Sequence, residues 1–142
     1  MDNVEVVRKV EEAWASHDTD ALDQYFADDW QAHTPGSDQV GPGLAAAKGA
    51  HDQSQQAFPD RHQTSHEIFG QGDLVVSRVS MSATNTGGLP WFGIPANGKR
   101  IEDVGWITIY RLQDGKVAET WAQMEIPKMM TQLGAMPGPG GE

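Results

Sequence analysis

The chain of 142 residues has no cysteine, which excludes disulfides, thiolate metal sites and thiol nucleophiles. Positive charge is scarce, since 10 Lys and Arg stand against 20 Asp and Glu and give a formal net charge of -10. Such a surface repels phosphate backbones and anionic lipid, so we expect no nucleic-acid and no membrane partner. No apolar run reaches the ~18 residues of a membrane span, and the first residues do not resemble a signal peptide. We therefore expect a soluble, cytoplasmic protein.

Recognisable metal-binding motifs are missing as well. Of the 5 histidines, His62 and His66 lie four residues apart, a spacing that suits one face of a helix. The segment reads as a strand, in which four residues span roughly 13 Å, so both rings cannot reach one ion. We expect no metal and no other cofactor.

What the chain does contain suits one folded domain. Its hydrophobic fraction of 38% and charged fraction of 21% are typical of globular proteins. The length allows one packed core with a modest pocket. We expect a single domain over residues 1–134 and a flexible tail over 135–142, because the final glycines and prolines offer nothing to bury.

Helices are predicted in the first part of the chain, and strands follow. Residues 3–17 have apolar side chains at helical spacing, with Arg8, Lys9, Glu11 and Glu12 on the opposite side. Further helices are predicted at 20–27, at 44–58 and briefly after Pro127, with a short extended piece at 30–33 and a loop at 36–43. Strands are predicted at 62–69, 74–84, 100–112 and 116–126. This order favours an α+β fold in which helices pack on one face of a curved sheet. A sheet rolled around a helix forms a cone, and the open end of the cone is a natural pocket.

Five short motifs occur in order along the chain: AFPD at 57–60, GDLVVSR at 72–78, GIPANGK at 93–99, YRLQDGKVAETW at 110–121 and QLG at 132–134. Together they resemble the SnoaL-like polyketide cyclases, in the ester-cyclase branch of the nuclear-transport-factor-2-like superfamily. The resemblance implies a cone-shaped α+β barrel, with a curved antiparallel sheet wrapped around the N-terminal helices and a small-molecule pocket inside. It also implies a homodimer formed through the open sheet face. Members cyclise, hydrolyse, isomerise, assist hydroxylations or only bind ligands, so the fold alone does not set the reaction.

The chain departs from the family pattern where proton transfer is expected. The acidic residue that follows the tryptophan of the E-x-W motif is Ala122 here, and the histidine two positions earlier is Thr120. Related limonene-epoxide hydrolases use an arginine and two aspartates; here Arg78 is present, but Ser80 and Ala122 replace the aspartates. Neither chemistry carries over intact.

Two catalytic candidates remain, His33 and Arg78. His33 matches a family histidine near the pocket mouth and could act as a general base near neutral pH; alternatively it is a core histidine bonded to backbone. For Arg78, strand alternation puts Val75 to Ala83 inward at every second residue and leaves Arg78 on the surface. The resemblance instead turns Arg78, Ser80 and Ser82 toward the pocket, where they would hold a carbonyl or enolate oxygen.

Substrate-binding candidates follow from the same comparison. It places Trp30 near the mouth, Trp106 and Thr108 in the wall, and Thr120, Ala122 and Met124 on the pocket face of the last strand. Trp106 would give an aromatic ligand a flat wall, or would simply be core. Trp91 and Phe92 lie in a glycine-rich flap at 85–99 and either cover the pocket or contact a second subunit. His51 belongs to the core or the pocket floor, and Trp121 to the outer face, where it could anchor a dimer.

The sequence therefore predicts an enzyme that acts without a cofactor on a hydrophobic, carbonyl-bearing, polyketide-like molecule. Acid–base cyclisation, isomerisation or related chemistry would use His33 as proton carrier and Arg78 as oxyanion partner. The alternatives are a non-catalytic protein that binds a hydrophobic ligand, which the absent acids favour, and a hydroxylase-type member that works with a partner reductase.

Overall fold

The computed structural model describes residues 1–16, 18–33 and 43–136. Within these residues there are four α-helices and five strands, and the last four strands follow one another along the chain. In order they are α1 (Asn3–Ser16), α2 (Leu22–Tyr25), β1 (Phe26–His33), α3 (Leu44–Ala57), β2 (His62–Gln71), β3 (Leu74–Thr84), β4 (Arg100–Gln113), β5 (Lys116–Met124) and α4 (Ile126–Gln132). The predicted loop at 36–43, except Gly43, and the end of the tail from 137 lie outside these residues.

The five strands form one curved sheet in the order β1-β5-β4-β3-β2. Strands β2 to β5 make an antiparallel meander, whereas β1 pairs with β5 in parallel at the edge. Helix α1 packs on β2 and β3, α3 packs on β1, and α4 packs on β4. The α+β class is therefore confirmed, and helices cover one face of the sheet while the other stays open.

Helix α2 is shorter than the sequence predicts. The helix expected over 20–27 ends at Tyr25, and β1 begins at Phe26 rather than at Trp30. Phe26 is buried, contacts the Trp30 ring edge-on at 5.2 Å and pairs with Val117 of β5. Burial of these two aromatic rings extends the strand, and a register shift leaves the acidic residues between them exposed.

A bulge in β4 changes which residues face inward. Asp103 has a φ of 53°, and the pairing with β3 shifts so that Ile101 and Val104 are both fully buried. Simple alternation places these two side chains on opposite faces. The bulge thus adds a large apolar residue to the core beside α4.

His51 holds α1 and α3 together. The ring is fully buried, and Nε2 donates to the carbonyl oxygen of Ala13 at 3.0 Å. Nδ1 accepts from the amide nitrogen of Gln55 at 2.8 Å, and the ring meets the edge of Trp14. His51 therefore belongs to the core between the two helices.

The AFPD motif anchors the flap that follows β3. Asp60 accepts hydrogen bonds from the backbone nitrogen of Thr84 at 2.8 Å and from its hydroxyl at 2.7 Å, and these bonds lower the pKa of Asp60. The next residue, Asn85, is fully buried and donates to the carbonyl oxygen of Pro95 at 3.0 Å. A Cβ on Gly87 would lie 2.0 Å from the carbonyl oxygen of Gln56, so only glycine lets the flap approach α3 this closely.

Within the described residues, no helix has both the length and the apolar character that crossing a membrane requires.

Candidate active site

A cavity of about 280 Å³ lies between the inner face of the sheet and helices α1 and α3. The flap and α4 cover one end of it, through Leu89, Phe92 and Met129. Most of the wall is apolar. The large apolar and aromatic side chains that line it are Trp14, Phe26, Trp30, Phe58, Met81, Leu89, Phe92, Trp106, Met124 and Met129.

Six of the predicted substrate-binding residues meet in this wall. They are Trp30, Trp106, Thr108, Thr120, Ala122 and Met124. The last three alternate along β5, so they share its inner face, and β4 brings Trp106 and Thr108 opposite them. The Trp30 indole donates to the Thr120 hydroxyl at 3.3 Å, which fixes the ring against the sheet.

Arg78, Ser80 and Ser82 do not line the cavity, so the placement derived from the resemblance was wrong. The inward positions of β3 are Val75, Ser77, Val79, Met81 and Ala83, as strand alternation predicts. Arg78 is exposed on the outer face, where its Nε and Nη2 donate to Glu67 at 2.6 and 2.9 Å. Ser80 pairs there with His66, and Ser82 accepts from the backbone of Asp103.

His33 also faces away from the cavity, which overturns its predicted position at the pocket mouth. Its neighbour Ala32 lines the cavity, and alternation therefore turns the imidazole to the outer face. His33 Nε2 lies 2.7 Å from a carboxylate oxygen of Glu119, and the ring stacks on Trp121 at 5.5 Å. The bond from His33, with a second from Arg111, lowers the pKa of Glu119. This cluster belongs to the open face of the sheet.

The flap contributes Phe92 to the cavity wall. The side chain of Trp91 lies outside the described part of the structure.

A buried carboxylate, Glu11, lines the cavity, although the sequence placed it on the solvent side of α1. Its side chain is only 5% exposed. Ser65 donates to Oε1 at 2.8 Å, Tyr110 donates to Oε2 at 3.1 Å, and Ser77 also donates to Oε2. Three hydroxyl groups from β2, β3 and β4 thus hold one carboxylate of α1 against the sheet.

The pairing of Glu11 with Tyr110 sets the protonation of the phenol. Burial, and then the adjacent Glu11 charge, raise the pKa of Tyr110 well above its ordinary value. The phenol therefore stays protonated at neutral pH. A carboxylate offers about four acceptor positions, and three hydroxyls occupy three of them, so one position on Oε1 remains.

Arg61 is the second polar group of the wall that the sequence did not reveal. Its Nε lies 3.0 Å from the Met81 sulfur, Nη1 lies 3.5 Å from the carbonyl oxygen of Trp14, and Nη2 donates to the Ser54 hydroxyl. Burial lowers the pKa of Arg61 from its ordinary value to about 10, so the side chain remains a cation at neutral pH.

The sequence matches the family model described as SnoaL-like polyketide cyclase over residues 4–133. The chain belongs to the SnoaL-like polyketide cyclase family. Among solved structures, it is similar to TsrD from Streptomyces laurentii, with 26% identity, a TM-score of 0.82 and coverage of 93% of this chain and 94% of that one. IdmH from Streptomyces antibioticus, described as a candidate polyketide cyclase, gives 26% identity, a TM-score of 0.77 and coverage of 94% and 99%. No curated protein matches the sequence.

In this SnoaL-like chain, the acidic group of the cavity comes from α1 and not from β5, where the family pattern places it. Ala122 lines the cavity at the position where the resemblance implies an acid, and Glu11 enters from α1 instead. One signal for Glu11 was available, because it follows Val7 by four residues and precedes Trp14 by three, the spacing of one helix face. Arg61 gave no such signal, because its inward neighbours along the chain, Gln63 and Ser65, are polar too.

No cluster of three or more His, Cys, Asp or Glu side chains suited to a metal ion occurs within the described residues.

Proposed function

We propose that this SnoaL-like chain is an enzyme that acts without a cofactor on an apolar, carbonyl-bearing, polyketide-like molecule bound in the cavity. One observation carries the proposal: the Glu11 carboxylate and the Tyr110 phenol lie together in the wall of a mostly apolar cavity. Such a pair combines a proton acceptor with a proton donor in a site with little water, where electrostatic effects are large. The pair supplies the acid–base function that the methyl group of Ala122 cannot provide.

The proposed reaction begins with removal of a proton next to the substrate carbonyl. The remaining acceptor position of Glu11 takes the proton, and the electron pair of the C–H bond moves to the carbonyl oxygen as an enolate. Once Glu11 is protonated, its bond from Tyr110 weakens, and the phenol is free to donate to the enolate oxygen. In a conjugated enolate, return of the proton from Glu11 to another carbon isomerises the substrate. Alternatively, the enolate attacks a second carbonyl and closes a ring, and the proton on Glu11 passes to the new alkoxide oxygen.

A cavity-filling substitution tests whether the reaction takes place in this cavity. β-Tetralone is a suitable probe, because it is apolar and exchanges the protons next to its carbonyl at a rate that NMR measures in heavy water. We expect the protein to accelerate this exchange and Ala122→Trp to remove the acceleration, since the indole would occupy the cavity. Gln123→Trp is the matched control, because Gln123 is the exposed neighbour on the outer face. Equal rates for the two variants would show that exchange occurs elsewhere.

A ligand-binding protein without turnover is the second candidate. The observation that favours it is Ala122, which leaves the last strand without an acid in the cavity wall. Trp14, Trp30 and Trp106 line the cavity, so a bound ring quenches their fluorescence. Quenching by β-tetralone with no accelerated exchange would support this candidate over the enzyme.

We also propose that two copies pair through the open face of the sheet. Large apolar side chains are exposed there: Ile107 at 48%, Ile109 at 38% and Trp121 at 38%. Isolated exposed apolar residues are common, but these three lie on adjacent positions of β4 and β5, because Ile109 pairs with Trp121. We expect light scattering to give the mass of two chains, and Ile107→Asp to give the mass of one. A single-chain mass for the unmodified protein would exclude this dimer.

A further inference from the structure

Arg61 has no carboxylate partner among the described residues. Its guanidinium contacts a thioether, a backbone carbonyl and a hydroxyl, and it lies 6.0 Å from the centre of the Trp14 ring. Arg78 and Arg111, by contrast, each form an ion pair on the outer face of the sheet. A buried cation without a counter-ion is unfavourable, because the protein interior solvates its charge poorly.

The contacts of Arg61 also leave part of its hydrogen-bonding capacity unused. A guanidinium has five N–H donors, and the three contacts above use three of them, so two remain. Met81 holds the guanidinium at Nε, Trp14 holds it at Nη1 and Ser54 holds it at Nη2. Because Arg61 lines the cavity, the two remaining donors are available to a guest molecule there.

A second polar atom of the same wall is unpartnered. Gln63 follows Arg61 by two residues, lines the cavity and has a buried side-chain oxygen with no hydrogen-bond partner among the described residues. Native proteins satisfy most buried polar groups, and an exception calls for a partner that the bare protein lacks. This wall thus offers two unused donors at Arg61 and one unused acceptor at Gln63.

We propose that the natural ligand is an apolar ring compound with a free carboxylate, which Arg61 binds, and with a nearby hydroxyl, which donates to Gln63. The assignment rests on the proposed function, because it places the ligand in the same cavity, and it narrows the substrate class from carbonyl compounds in general to carbonyl compounds that also carry a carboxylate. Two parallel N–H donors match the two oxygens of a carboxylate, and such charge-assisted pairs are strong where water is excluded.

Tryptophan fluorescence with a matched pair of probes tests the role of Arg61. Naphthylacetate and its uncharged amide have the same ring and nearly the same size. We expect the protein to bind the acid about 10- to 100-fold more tightly than the amide at pH 7. Arg61→Gln should remove this preference and leave binding of the amide unchanged. Arg78→Gln removes the same charge from the outer face, so it controls for the long-range field and should retain the preference.

A pH titration of the unmodified protein makes the test independent of whether the variant folds. The preference for the acid should disappear as the pH falls below the pKa of the probe itself, about 4 to 5 for a carboxylic acid. Equal affinity for acid and amide at pH 7, with the amide bound, would overturn the carboxylate assignment and leave the proposed function standing. Absence of binding for both probes, together with no exchange of β-tetralone, would overturn the proposed function as well.

The role of Gln63 is tested with a probe that differs by one hydroxyl. Naphthylglycolate carries a hydroxyl next to its carboxylate, where naphthylacetate carries hydrogen. We expect the hydroxyl to improve binding about 2- to 10-fold in the unmodified protein and to give no improvement in Gln63→Met. Equal gains in both proteins would contradict the assignment of Gln63.

Discussion

Glu11→Gln is expected to slow the protein-catalysed exchange of β-tetralone by about 10²- to 10⁴-fold, the range over which a positioned general base contributes. The amide has nearly the shape of the carboxylate. With its oxygen in the place of Oε2 it still accepts from Ser77 and Tyr110, and its nitrogen then donates to the Ser65 hydroxyl. It cannot take up a proton at neutral pH. We therefore expect the affinity for β-tetralone, measured by fluorescence quenching, to change by less than about fivefold, because one hydrogen-bond contact alters binding by about 1 kcal/mol or less.

Two further variants make the result specific to the buried pair. Glu12→Gln changes the next residue of α1, which is exposed, and should leave exchange unaffected. Tyr110→Phe removes the phenol donor and should slow exchange less than Glu11→Gln does, because the base remains. If Glu11→Gln exchanged β-tetralone at the unmodified rate, Glu11 would have a structural role only.

Arg61→Met is expected to raise the free energy of unfolding by about 1–3 kcal/mol while it removes the preference for a carboxylate ligand. Burial lowers the pKa of Arg61 from its ordinary value to about 10, and at about 1.4 kcal/mol for each pH unit this is a penalty of about 3 kcal/mol on the charged form. Methionine has a similar length and no charge, and it suits the contacts with Met81 and Trp14. Loss of the hydrogen bond to Ser54 offsets part of the gain.

Urea unfolding of Arg61→Met and of the unmodified protein checks this expectation, with Arg78→Met as the control for loss of an exposed arginine. The folded-state pKa lies below the unfolded value, so the unfolded chain holds this proton more tightly. The penalty on the folded state is therefore complete below pH 10, and the advantage of Arg61→Met should shrink as the pH rises above 10. An Arg61→Met protein less stable by more than about 1 kcal/mol would show that the guanidinium contacts outweigh the cost of burial.

Strand positions with a regular apolar pattern were predictable from the sequence. Leu74–Thr84 has its predicted bounds, because apolar residues alternate with polar ones from Val79 to Ala83 and a glycine-containing turn precedes the strand. The Asp-Gly turn between β4 and β5 fixed the register of that hairpin, and this register brings Thr108 opposite Ala122 in the cavity wall. The resemblance to the family added the inward direction of Trp106, which pattern alone left open.

Other features depend on contacts that no local pattern records. The position of β1 follows from burial of Phe26 beside Trp30, and the inward turn of Ile101 follows from the bulge at Asp103. His33 and Arg78 were assigned by transfer from the family, and each faces outward because its inward neighbour lines the cavity or the core. Sequence pattern places a charged helix residue such as Glu11 on the surface. Its burial depends on three hydroxyl groups from three strands that are distant in sequence.

The most direct test of the central claim is a crystal structure of the protein with β-tetralone. We predict that the β-tetralone ring lies between the sheet and helices α1 and α3, with a carbon next to its carbonyl facing Oε1 of Glu11. A cavity closed by side chains, or a ligand bound only on the open face of the sheet, would contradict it.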